Sequence, residues 1–167
     1  VKSWSNYKET YRSEADIFDC VRAGDFKALV TLLSQQVDLD IDAKNHRGYS
    51  PLMLAVYHGE ADCAEALLRC GADVNSTDAM NNTVLMAAAF KGKLEILQLL
   101  IQFGADTGRK NKSNMDTRDW ALMFGREQAL AYLNGLSPQV DQGSKVKSLL
   151  RFINLSLMML KSRFKPG

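Results

Sequence analysis

Gly24, Gly59, Gly92 and Gly125 stand 35, 33 and 33 residues apart, each closing one apolar stretch and opening the next. A fixed period near ~33 marks a stacked array of small helical units, not a domain wound around one core. A unit that short cannot bury its own apolar face, so stability must come from stacking on its neighbours. Such a chain presents an extended surface, and any chemistry belongs to whatever that surface holds.

The units are legible residue by residue. The second runs His46-Arg47-Gly48-Tyr49-Ser50-Pro51-Leu52-Met53-Leu54-Ala55-Val56-Tyr57-His58-Gly59, then through Leu67-Leu68 to Gly71-Ala72-Asp73-Val74-Asn75. The third repeats it as Asn81-Asn82-Thr83-Val84-Leu85-Met86-Ala87-Ala88-Ala89, Gly92, Leu99-Leu100 and Gly104-Ala105-Asp106. The fourth keeps Ala121, Gly125 and Leu133 but degrades at Arg118 and Asp119, and the first lacks a preceding turn motif. Ser50 and Thr83 are suited to cap a helix start, and Pro51 suits a first helical turn. Gly59 and Gly71 supply the left-handed backbone that stops a helix. Small residues (Ala55, Ala87, Ala88) let neighbouring units approach closely. The longer first spacing places two extra residues around Val37 to Ile41.

This pattern of turn, T-P-L-H-x-A-A-like helix, glycine turn, apolar second helix and G-A-D-V-N resembles the ankyrin repeat family over roughly residues 14–136. The resemblance implies an all-α solenoid of four helix-turn-helix repeats, approximately 14–45, 46–78, 79–111 and 112–136, with short β-hairpin-like turns projecting from it. Capping helices are expected at both ends: an N-terminal segment over 1–13, then a 137–144 linker and a C-terminal basic amphipathic helix over 145–167. Met53, Met86 and Asp119 replace the family's usual histidine, so the hydrogen bond that residue normally gives between neighbouring loops should be missing.

Charge separates the tail from the rest. Residues 137–167 carry six Lys or Arg against one acid, a net +5 that leaves −3 for the remainder of a chain of net +2. Val146, Leu149, Leu150, Ile153, Leu157 and Leu160 form an apolar stripe there, too short and too interrupted by Arg151 and Asn154 to span a bilayer. The stripe must dock somewhere: on the fourth repeat, on an anionic membrane, or in a partner's groove. Trp4, Tyr7 and Tyr11 share one face near the start and are expected to cover the first repeat.

Cys20, Cys63 and Cys70 have no metal or redox spacing, and Cys20 and Cys63 read as small core residues. A reducing compartment, the cytoplasm, is favoured; because the chain begins at Val1 and not Met, an exported or periplasmic location stays open. His46 and His58, without companion ligands, are weak metal candidates. Asp38, Asp40 and Asp42 read as a solvated loop before a loose cation site. The sequence lacks G-x-S-x-G, H-E-x-x-H and phosphate-loop patterns. Neither a cofactor, a metal nor enzyme activity is expected, and a net acidic array is a poor nucleic-acid surface.

By family geometry the turn tips and first helices form a concave face. The positions just before each glycine are not dictated by the framework, and they hold Arg22, Tyr57 with His58, Phe90 with Lys91, and Met123 with Phe124. The tips add Lys44, His46, Arg47 and Tyr49, then Met80 and Asn82, then Lys110, Lys112 and Met115. An aromatic floor with a partly basic rim is the composition of a protein-binding surface. The expected function is recognition of another protein, one with an acidic patch, by a monomer acting as adaptor or as an inhibitor or immunity-type protein covering a partner enzyme. The competing reading is a membrane-associated tether anchored by its tail.

Overall fold

The computed structural model describes residues 16–35 and 38–136. The N-terminal capping segment over 1–13, the 137–144 linker and the 145–167 helix expected from sequence lie outside the described residues. Within them are eight helices in four hairpins: α1 (Ile17–Ala23) with α2 (Phe26–Gln35), α3 (Pro51–His58) with α4 (Ala61–Arg69), α5 (Val84–Lys91) with α6 (Leu94–Gln102), and α7 (Thr117–Met123) with α8 (Glu127–Gly135). The first helices α1, α3, α5 and α7 pack in one layer, and the second helices α2, α4, α6 and α8 in another.

Each first helix starts on a side-chain cap. Asp16 accepts the Phe18 amide (3.1 Å), Ser50 that of Met53 (3.2 Å) and Thr83 that of Met86 (3.1 Å). Asp116 accepts from both Arg118 (2.8 Å) and Asp119 (3.0 Å). These bonds satisfy amides that an isolated helix end leaves open. Gly24, Gly59 and Gly92 then end α1, α3 and α5 at φ of 63°, 81° and 70°. They have a second duty: an added Cβ on Gly24 would meet Glu60 Oε2 at 2.6 Å, and one on Gly92 would meet Arg126 Cδ at 2.7 Å. Side chains of the next hairpin thus lie over these turns.

The continuous core runs through both layers. Leu52, Ala55, Val56, Leu85, Ala88 and Ala121 line the first helices, while Leu29, Cys63, Leu67, Leu97, Leu100 and Leu133 line the second. Cys20 and Cys63 are buried and Cys70 is exposed, all three as free thiols.

The turns between hairpins are hairpin-like, as expected. Asn45, Asp78 and Asn111 hold the same post in successive turns, and each side chain accepts two backbone amides from its own loop: Arg47 and Tyr49 (2.9 and 3.0 Å), Met80 and Asn82 (2.8 and 2.9 Å), Ser113 and Met115 (2.9 and 3.0 Å). Three residues after each, Gly48, Asn81 and Asn114 take the left-handed conformation. Adjacent turns are tied together without the histidine. Lys44 Nζ donates to Ser76 Oγ and to the Thr77 carbonyl (2.9 Å), and Ser76 Oγ reaches Ser50 Oγ (3.1 Å). Asn111 donates to Asn82 (2.7 Å), Lys112 Nζ to the Ala79 carbonyl (2.8 Å) and Arg109 to the Asn75 carbonyl (2.9 Å).

Candidate interaction surface

Side chains at the ends of the first helices meet in a single aromatic row. Tyr49 lies against Tyr57 (centroids 5.4 Å apart), and Tyr57 meets Phe90 edge-on at 6.3 Å. Phe90 then contacts both Trp120 (6.2 Å) and Phe124 (4.6 Å), again edge-on, and those two are 5.5 Å apart. The row crosses three hairpins: the 33-residue repeat sets Tyr57 and Phe90 at one position of neighbouring units, and Trp120 and Phe124 stand on either side of Met123, the matching position in the last. Edge-to-face pairs add about 0.5–1.5 kcal/mol each beyond burial, so the row stiffens the array as well as facing outward. Tyr57 and Phe90 are half-buried, whereas Phe124 is 38% exposed. Burial, with smaller contributions from Tyr49 and Asp78, pushes the Tyr57 hydroxyl up to about 12.

The tips rise beside this row. Met80 is 52% exposed at the middle tip, and His46, Arg47 and Lys110 are exposed at the outer two. His58 and Lys91 are exposed at the glycine end of α3 and α5, and Met123 is half-buried at the end of α7.

Five expected positions take other roles. Met115 is buried: in register it matches Tyr49 and Asn82, at the base of the finger and not its tip, and its amide is held by Asn111. Lys44 and Lys112 remain exposed, but their ammonium groups donate to carbonyls of the neighbouring finger. Asn82 is likewise engaged, donating to Asp78 Oδ2 (2.8 Å) and accepting from Asn111. Arg22, paired with Asp19 at 2.6 Å, sits on α1 and adds no aromatic to the row. Trp120 is the member that sequence reading missed. It lies four residues before Phe124 on a helix whose Arg118-Asp119 start obscures the repeat, and helical spacing to Phe124 was the available signal.

Among the described residues no three His, Cys, Asp or Glu side chains converge on a common point that could hold a metal ion, and no helix is long and apolar enough to cross a membrane.

A family model for ankyrin repeats, in three copies, matches residues 17–111 and 62–141. The chain belongs to the ankyrin repeat family. Inversin of Gallus gallus is 42% identical over 60 residues, covering 36% of this chain and 5% of that protein. Inversin of Mus musculus is 48% identical over 42 residues, covering 25% of this chain and 4% of its own length. The chain thus spans about a twentieth of these relatives' length. Ankyrin repeats are in general non-enzymatic protein–protein interaction modules. In this ankyrin array the family's histidine bridge between fingers is replaced by lysine-to-carbonyl and asparagine-to-asparagine links.

Proposed function

We propose that this protein captures another protein on the face made by its first helices and finger tips, as an adaptor or as an inhibitor covering a partner's active site, with no catalysis of its own. The aromatic row from Tyr49 to Phe124, flanked by exposed Met80, supports this reading most directly. Large aromatics and methionines are the usual anchors of interfaces, and a preformed row loses little ordering entropy on docking. The exposed cations Arg47, Lys91 and Lys110 surround it, which fits a partner with an acidic patch and a faster encounter with it.

The test uses the side chains that face solvent. Tyr57 and Phe90 hold the row together, so truncating them would lower stability along with binding. Met80→Ala combined with Phe124→Ala should weaken capture of the partner by about 2 kcal/mol or more, roughly 30-fold, with the helical circular dichroism unchanged. The control is Phe103→Ala, which removes an exposed aromatic at the end of α6 in the other layer. Equal loss in the control, or no loss in the double variant, would refute this surface.

A further inference from the structure

Two positions of the repeat distinguish the ends of the array. Val21, Val56 and Ala89 share one register position in α1, α3 and α5 and are fully buried; Leu29, Ala64 and Leu97 do the same in α2, α4 and α6. Their counterparts in the last hairpin are Leu122, which is 46% exposed, and Leu130, which is half-buried. Side chains two residues apart on a helix point about 200° apart. Trp120 looks back onto Phe90 of the preceding hairpin, so Leu122 looks onward, to where a further unit would stack. The opposite end differs. The position of Trp120, Ala87 and Leu54 is taken in α1 by Asp19, exposed and ion-paired with Arg22. The array begins on charge and ends on leucine.

We infer that residues 145–167 of this same chain cover Leu122 and Leu130 and close the last hairpin. α8, which carries Leu130, ends at Gly135, and residues 137–144 can reach up to about 27 Å. The sequence then offers Val146, Leu149, Ile153, Leu157 and Leu160 at intervals of three and four, the spacing of one apolar helix face. A second copy is a poor occupant: stacking head to tail would press Leu122 against Asp19 and Arg22, stripping their water. A fifth ankyrin unit fits poorly too. Arg118 and Asp119 hold positions where α3 and α5 have Leu52, Leu85, Met53 and Met86, and Arg118 instead donates to the Leu133 carbonyl at 2.9 Å. A terminal unit with a partly polar outer side calls for a narrow apolar strip.

The inference is independent of the partner-binding face and is tested on the full chain carrying Cys70→Ser, which removes the exposed thiol. Leu122→Cys is combined in turn with Leu149→Cys, Ile153→Cys and Leu157→Cys, and with Asn154→Cys as the off-stripe control. Mild oxidation should give an intrachain link in monomeric protein for at least one stripe position, about fivefold above the control, a contrast that a docked and mostly closed segment would produce. Links mainly between chains would assign the face to a second copy and overturn the inference, as would yields no higher than the control. Loss of the link on adding phosphatidylserine-containing vesicles, with the protein co-sedimenting, would assign the stripe to a membrane and overturn it as well. Hydrogen exchange with Leu122→Ser covers any failure to cross-link: amides of 146–160 should exchange about tenfold faster while those of α3 to α6 stay protected, and an unchanged rate contradicts the inference.

Discussion

Tyr57 carries two functions in one side chain, since its ring joins the aromatic row and its hydroxyl loses water where the row crosses from α3 to α5. Its pKa is raised to about 12, by burial first and by Tyr49 and Asp78 after it, against about 10 for an unfolded tyrosine. The folded state therefore holds the proton more tightly. That contribution to stability is complete below about pH 10 and is lost as pH rises towards about 12. Urea unfolding should show stability falling across this window in the native protein and falling less in Tyr57→Phe; identical slopes would mean that the phenol is not desolvated. At this scale the sequence revealed Tyr57, Phe90 and Phe124 through their register before the glycines. It did not reveal that Lys44 and Lys112 serve neighbouring carbonyls, because a charge on a loop carries no sign of which partner it will meet. Met115 was misplaced for a related reason: the tip and base of a finger differ by only a few residues, and only the left-handed turn at Asn114 fixes which is which.

The helices were more legible than the surface because their limits are written in residue types with few alternatives. Ser50, Thr83 and the glycines mark starts and stops that the structure reproduces. Ser50 also shows how local and inter-hairpin order share one atom: its Oγ accepts the Met53 amide and lies 3.1 Å from Ser76 Oγ, which Lys44 also reaches. Ser50→Ala should cost about 1–2 kcal/mol, measured by denaturant melts. It should also speed amide exchange in the 76–82 turn, which a simple helix cap would not do. What stayed hidden at this scale was the place of Trp120 in α7. Arg118 and Asp119 interrupt the apolar pattern there, so the four-residue spacing from Trp120 to Phe124 was the one cue to a ring that completes the row.

For the whole molecule, the repeat determines both faces at once. Stacking by a constant step aligns the ends of the first helices into an aromatic row, and the same step aligns the second helices into the opposite layer. That layer has a feature of its own, an open groove of about 410 Å³ between α2 and α4, lined by Phe26, Val30, Leu33 and Ala66 with Asp62 and Glu65 among its polar residues. The two faces make different predictions about where a partner lies. Hydrogen-exchange footprinting of the captured complex separates them directly. The account predicts slowed exchange in the finger tips around Arg47, Met80 and Lys110 and at the ends of α3, α5 and α7, with α2 and α4 unchanged. Protection confined to α2 and α4, with the fingers exchanging as freely as in the unbound protein, would contradict it.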